Sequence, residues 1–335
     1  MILLCVELVV MLLVILAAAE IFTNALEHLG ERLGISEGVT GSLFAAVGTA
    51  LPETLVPIIA IYAGTQNMEL NHDIGVGAIL GAPLMLSTLS TALMAISVLR
   101  LRGIKGRIAP ERSGFVRDLN FFLFAFLIAA AAMYVPTEMR EARIALSASL
   151  VGLYLAYIVV TVRASSSLVD AGHGTEAEEP IFLTKFGFKE NLGTIILQLI
   201  LAVLLLVGGA KGFINGIEGV STALGISALV LSLLIIPIAT ELPEKVNSIL
   251  WVRRGKDTLA FGNITGAMVF QGTLLPALGI LVTPWTPRPE VLSGIVITLV
   301  AAAWLRLNAT ATGPRIAALL LNGGLYLCYL AYVLL

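Results

Sequence analysis

Ten apolar runs, each long enough to cross a bilayer, fill most of the chain and leave room for little else. They fall at roughly 2–25, 36–63, 74–99, 118–135, 142–162, 191–217, 226–252, 258–283, 290–305 and 314–334. The runs are long and apolar all round rather than alternating, which excludes a β-barrel. Of the 335 residues, 58% are apolar and 13% charged, about half the charged share of roughly 25% in average domains. Such a chain cannot cover a soluble surface with polar side chains. A soluble enzyme, a disordered chain and a nucleic-acid binder are therefore excluded. The expected fold class is all-α: a polytopic membrane protein of ten transmembrane helices. The first run lacks a basic flank and a small-residue cleavage site, so it reads as a mature helix rather than a signal peptide. Cys5 and Cys328, inside apolar runs near opposite chain ends, read as buried free thiols.

Basic residues set the orientation. With the N-terminus outside, fifteen Lys and Arg fall in inside loops, six of them between Arg100 and Arg117. Arg140, Arg143 and Arg288 are then the three in outside loops, and Lys211 and Lys245 lie within helices. Both termini are expected outside an inner, plasma-type membrane. The polar stretch at about 163–189 reads as a cytoplasmic linker between five-helix halves, giving boundaries of 1–163, 164–188 and 189–335. It is too short for a folded regulatory domain.

The halves repeat each other. Gly34-Ile35-Ser36 recurs as Gly225-Ile226-Ser227, and Leu51-Pro52-Glu53 as Leu242-Pro243-Glu244, both at an offset of 191. Gly77 and Gly81 match Gly262 and Gly266 at 185, which places six extra residues of the first copy in the turn Thr65–Asp73. Five helices per half is an odd number, so the second half enters the membrane from the opposite side. Such inverted-topology repeats place binding sites near the midplane, at interrupted helices.

The interruptions are Ala46 to Glu53 and Pro237 to Glu244. Proline removes a backbone donor and clashes with the carbonyl four residues earlier. Carbonyls around Ala46 to Gly48, and their counterparts in the second copy, are thereby freed for a cation. A kinked helix without a ligand is the alternative, but each kink also carries a carboxylate. An ionised Glu near the bilayer centre costs several kcal/mol unless paired or hydrated. Glu53 and Glu244 stand at equivalent positions, so pseudo-twofold symmetry brings them together. Two carboxylates, Thr49 and Thr240, and freed carbonyls make an all-oxygen site suited to a hard cation such as Ca²⁺. No Ser/His dyad, zinc motif or paired intramembrane aspartates suggest an enzyme: Asp73, Asp118, Asp170 and Asp257 fall at loops or helix ends.

These motifs resemble the α-repeats of the sodium/calcium exchanger superfamily. The carrying residues are Gly48-Thr49-Ala50-Leu51-Pro52-Glu53 with Gly77-Ala78-Ile79-Leu80-Gly81, and Ala239-Thr240-Glu241-Leu242-Pro243-Glu244 with Gly262-Asn263-Ile264-Thr265-Gly266. The resemblance implies a secondary active antiporter that takes Ca²⁺ and Na⁺ as transported ions and has no cofactor. It implies ligands at Glu53, Glu244, Thr49 and Thr240, and carbonyl ligands at Ala46 and Pro237. It also implies three Na⁺-class sites around one Ca²⁺ site, and a first and sixth helix that slide against the rest.

The sequence departs from the family pattern at several ligand positions. Motif serines are replaced by Ala50, Glu241, Ala82 and Ala267. The polar residue four beyond the last two becomes Leu86 and Gln271, and the motif asparagine survives only as Asn263, opposite Ala78. Glu241 has Glu244 three residues on and Lys245 four residues on, so it reads either as a proton-carrying site or as a partner of Lys245. The expected activity is exchange of Ca²⁺ for Na⁺ by alternating access. Ca²⁺/H⁺ or other cation/H⁺ exchange is the alternative, and a non-transporting cation binder a third. The expected partners are inorganic cations and membrane lipid, with no nucleic acid, and the chain is expected to be a monomer.

Overall fold

The computed structural model describes residues 2–32, 51–169 and 179–334. Among them the chain is helical throughout, its one extended contact being an antiparallel bridge between Arg107 and Arg315. The helices are α1 (Ile2–Arg32), α2 (Leu51–Ala63), α3 (Met68–Met85), α4 (Thr91–Arg102), α5 (Arg112–Ala132), α6 (Arg140–Val169), α7 (Leu192–Leu224), α8 (Ala228–Thr240), α9 (Leu242–Arg253), α10 (Asp257–Val282), α11 (Pro289–Leu307) and α12 (Ile316–Leu334). A π-helical turn, Leu86–Ser90, joins α3 to α4 in one continuous helix. Among the described residues, eight helices are long and apolar enough to cross a membrane, with α3 and α4 counted as one. Their outward faces carry bare apolar side chains such as Leu3 (80% accessible), Leu13 (58%) and Leu204 (61%).

The run at 226–252 is not one helix. It is divided at Glu241 into α8 and α9. Of the run at 36–63, the structure describes the part from Leu51 onward, α2. The repeated Gly-Ile-Ser is a stop-and-start device in its second copy. Gly225 ends α7 at φ +68°, the left-handed region that favours glycine, and Ser227 accepts from the Val230 amide to start α8. The first copy, 34–36, lies outside the described residues.

Two helix pairs place the site. Helix α1 packs along α7, where Gly209, Gly212, Gly216 and Gly219 leave room for Ile15, Met11, Leu8 and Leu4. Helix α3 packs against α8. A Cβ on Gly77 would come within 2.7 Å of the Ser232 Cβ, and one on Gly81 within 2.7 Å of the Pro237 ring. Only glycine permits that approach, which brings the stretch 77–86 against the broken α8.

Charged side chains tie the helix ends. Arg102 forms a fork with both carboxylate oxygens of Asp257 (2.7 and 2.8 Å), so the end of α4 is tied to the start of α10. Arg288 Nη1 donates to Asp73 at 2.8 Å, which does the same for the starts of α11 and α3. Arg143, expected in a loop, is instead 5% accessible within α6. Its guanidinium caps α10 by donating to the carbonyls of Ile280, Thr283 and Pro284. The end of the linker is also anchored. Gln198 Nε2 donates to Asn24 Oδ1 (2.8 Å), Asn24 Oδ1 accepts from the Phe182 amide, and Gln198 Oε1 from that of Leu183.

Four further expectations are corrected. The extra residues of the first repeat do not form a turn, because α3 already begins at Met68 and the connection is only Gly64 to Asn67. Asp118 is not at a loop. It is buried in the second turn of α5, where it accepts from Thr265 Oγ1 (2.7 Å) and the Tyr157 hydroxyl (3.2 Å). Asp73 likewise lies within α3, and Asp170 is outside the described residues. Cys5 and Cys328 are free but exposed, on outward faces of α1 and α12.

Candidate functional site

Glu53 and Glu244 occupy the same place in equivalent helices, the third residue of α2 and of α9. Pro52 and Pro243 stand just before them, where a missing amide hydrogen costs a helix nothing. Glu241 sits in the break between α8 and α9. Ligand oxygens of Glu53, Glu241 and Glu244 all lie within 4.8 Å of one another, and the three residues are 3%, 0% and 4% accessible. At that spacing and an effective dielectric constant of about 20, each ionised pair repels by on the order of 3 kcal/mol. Such a cluster is stable only when cations or protons neutralise most of that charge.

Few hydrogen bonds compensate the carboxylates. Gln271 on α10 donates its Nε2 to Glu241 Oε1 at 2.5 Å. Both Glu53 oxygens, Glu241 Oε2, Glu244 Oε2 and Gln271 Oε1 are buried without a hydrogen-bond partner. Buried polar atoms are ordinarily paired. Five unpartnered oxygens from four side chains around one cluster make an all-oxygen donor set suited to hard cations. Cysteine and histidine, which softer metals favour, contribute nothing to it.

The other expected site residues are placed as follows. Thr240 is buried and donates its hydroxyl to the Ile236 carbonyl at 3.2 Å, one turn back on α8. Asn263 donates to the Glu244 carbonyl (3.1 Å) and to Ser248 Oγ (3.0 Å), which ties α10 to the first turns of α9. Thr49 and Ala46 lie outside the described residues. The Pro237 carbonyl accepts from the Glu241 amide at 3.2 Å and from Lys245 Nζ at 2.8 Å. The missing amide of Pro243 frees the carbonyl four residues earlier, that of Ala239, and not that of Pro237. Lys245 is 6% accessible. Its ammonium bonds the Pro237 carbonyl, and among the described residues it forms no ion pair with Glu241.

On α3 and at the start of the π-turn that follows it, Ala78, Ala82 and Leu86 are buried with no polar side-chain atom to offer. Two of the three clustered carboxylates therefore come from the second half. Sequence reasoning missed Ser232, a fully buried hydroxyl without a partner on the face of α8 that meets Gly77. Its position five residues before Pro237 was the available signal. It also missed the π-turn, which starts at Leu86, the place of a family ligand; such turns are frequent at functional sites. Asn322 holds the turn by donating to the Ser87 carbonyl at 2.9 Å.

Comparison with known proteins identifies the family and the fold. The inner membrane protein YrbG of Escherichia coli is 26% identical over 83% of the chain and 79% of its own length. The sodium/calcium exchanger MaX1 of Methanosarcina acetivorans is 23% identical over 88% of the chain and 90% of its own. Among solved structures, the H⁺/Ca²⁺ exchanger CAX superposes with a TM-score of 0.72 at 16% identity, covering 99% of this chain and 82% of that one. The sodium-calcium exchanger NCX_Mj superposes with 0.59 at 20% identity, covering 98% of each. At these identities the two structures establish the shared fold. The model of the sodium/calcium exchanger protein family matches residues 3–163 and 194–335. The chain is thus an integral membrane protein of the sodium/calcium exchanger family.

Proposed function

We propose that the chain exchanges Ca²⁺ for Na⁺ by alternating access at the cluster of Glu53, Glu241 and Glu244. The observation that carries this reading is the set of buried, unpartnered carboxylate oxygens within 4.8 Å of one another. A divalent cation relieves most of their mutual repulsion at once, and a group of monovalent cations can replace it. The empty, negatively charged site crosses the bilayer at high cost, whereas the filled one crosses readily. Obligatory exchange follows from that difference.

The accompanying topology is ten spans in two inverted repeats of five, a cytoplasmic linker at 164–188 and both termini outside. Three features support it: the matched Leu-Pro-Glu starts of α2 and α9, the excess of basic residues in the inside loops, and the α1–α7 pair. The glycine-lined seam of that pair suits it to slide as one unit. A monomer contains the whole cluster. Thr49 and the Ala46 carbonyl complete the site from the first repeat, with Thr240 and Gln271 from the second. Asn263 serves this site as a strut for α9, consistent with its bond to the Glu244 carbonyl.

Ca²⁺/H⁺ exchange is a second reading, favoured by one observation. Glu241 is a carboxylate where the family motif has a serine, and its Oε2 is buried without a partner. Uptake of ⁴⁵Ca²⁺ by proteoliposomes under an outward Na⁺ gradient, or under a pH jump alone, separates the two. If Glu241→Ser left the pH dependence and coupling unchanged, the proton reading would be lost.

A further inference from the structure

The exchange reading counts cations that come and go. One cation in the site cannot leave. Lys245 is almost wholly buried, and its Nζ lies 2.8 Å from the Pro237 carbonyl. The side chain starts in the first turn of α9 and reaches back across the break to α8. That carbonyl also takes the Glu241 amide, so both its acceptor positions are in use. An ion bound at this carbonyl would have to displace the ammonium. Lys245 also lies within electrostatic reach of Glu241, Glu244 and Glu53. When the three carboxylates and the ammonium are all ionised, the cluster carries a formal charge of −2.

We propose that Lys245 is a tethered cation that takes the place of one exchanged monovalent ion, so that one Ca²⁺ exchanges for two monovalent cations without net movement of charge. The inference rests on the exchange reading but not on which monovalent ion is used. A site of charge −2 is neutralised by one Ca²⁺, by two Na⁺ or by two protons. A lysine ammonium is a compact point charge on a flexible stem, close to a dehydrated Na⁺ in what it offers a carbonyl. The first repeat contributes one carboxylate to the cluster and, at Ala78 and Ala82, no side-chain oxygen. That scarcity fits a site holding fewer mobile ions.

The test compares the full-length protein with Lys245→Met, which keeps the apolar stem and removes the charge, and with Lys245→Arg, which keeps the charge. Equilibrium ⁴⁵Ca²⁺ accumulation is measured in proteoliposomes under an outward Na⁺ gradient or a pH gradient, at membrane potentials clamped with K⁺ and valinomycin. Bound ²²Na⁺ per protein is counted in detergent at neutral pH. The expected result is accumulation independent of potential in the wild type and in Lys245→Arg. In Lys245→Met, each 60 mV of interior-positive potential should raise accumulation about tenfold, with one more Na⁺ bound. Potential-driven accumulation in the wild type overturns the proposal whether or not the variants fold. So does a Lys245→Met protein with unchanged potential dependence and Na⁺ count, because a merely structural lysine alters stability but not charge per Ca²⁺. If the wild type moves no Ca²⁺ under either gradient, the exchange reading fails. The ²²Na⁺ counts then decide alone: one more ion in Lys245→Met sustains the tethered cation, and equal counts overturn it.

Discussion

Gln271 and Glu241 meet at 2.5 Å across the gap between α10 and the break of α8–α9. A carboxylate offers only acceptors, so the amide presents its nitrogen and its own oxygen is left without a partner. The pair holds one of the three clustered carboxylates to the continuous helix α10, while the other two ride on α2 and α9. Gln271→Leu removes the donor and leaves Glu241 Oε1 buried and unsatisfied, at a cost of about 1–3 kcal/mol. Ca²⁺ uptake by proteoliposomes should fall about 5- to 150-fold, and Gln271→Asn should not restore it, because the shorter side chain cannot reach. Wild-type uptake in the leucine variant would show that the contact is dispensable.

Neutralising one carboxylate should have opposite effects on the free and the ion-bound protein. Glu53→Gln and Glu244→Gln each relieve like-charge repulsion among buried groups. In ion-free buffer both variants should therefore melt at a higher temperature than the wild type. A bound ion at about 100 times its Kd stabilises a protein by about 2.7 kcal/mol. The variants should lose that Ca²⁺-dependent increment. Thermal unfolding with and without Ca²⁺ measures both effects. An unchanged Ca²⁺ increment in Glu53→Gln would remove that residue from the site.

Much of this site is legible in the sequence, for a physical reason. Repeated Leu-Pro-Glu inside two apolar runs fixes where a helix can start in mid-membrane, and the carboxylate then falls in its first turn. Glu241 is visible by the same route, as a charge in a place with no water. Lys245 is not: helix periodicity pairs it with Glu241, four residues back. Its ammonium instead reaches the Pro237 carbonyl eight residues back, because the chain turns at the break. Arg143 reads as a loop charge because its acceptors lie on α10, more than 130 residues away. The π-turn at Leu86–Ser90 leaves no mark of its own, because Ser87, Thr88 and Ser90 read as small polar residues that an ordinary helix within the run 74–99 would also hold.

Gly77 sets the closeness of α3 to α8, so its replacement should be felt in stability. In Gly77→Ala the new Cβ would come within 2.7 Å of the Ser232 Cβ and 2.8 Å of the Leu229 carbonyl. Backbone must shift, at about 1–3 kcal/mol for such overpacking. Gly324 has open space at its Cβ, so Gly324→Ala should melt like the wild type. Equal melting temperatures for both variants would contradict the packing.

Arg143 should resist substitution even by lysine. Its fork serves three carbonyls at the end of α10, and hydrogen bonds to a charged group are worth about 1.5–3 kcal/mol each. Arg143→Lys keeps the charge but not the fork, so it should lose nearly as much thermal stability as Arg143→Met. Full stability in the lysine variant would show that charge alone suffices.

Glu111 gives a pH signature remote from the ions. It caps α5, accepting from the Ser113 and Gly114 amides at 2.7 Å each. Those donors, that of Gly114 foremost, hold its carboxyl below the ordinary value of 4.5. A lowered value in the folded state means that its stabilisation is present above pH 4.5 and fades as pH falls through the folded value. Glu111→Ala should cost about 1 kcal/mol at neutral pH, and the gap to the wild type should narrow at low pH. A gap that widens in acid would reverse the sign and refute the cap.

The central claim is that the buried cluster of Glu53, Glu241 and Glu244 carries Ca²⁺ across the membrane in exchange for Na⁺. The most direct measurement is ⁴⁵Ca²⁺ uptake into Na⁺-loaded proteoliposomes, with a pH jump in parallel and Glu53→Gln as control. Uptake driven by the Na⁺ gradient and abolished in Glu53→Gln is the predicted result. Uptake driven by the pH jump alone, or uptake that survives in Glu53→Gln, would contradict it.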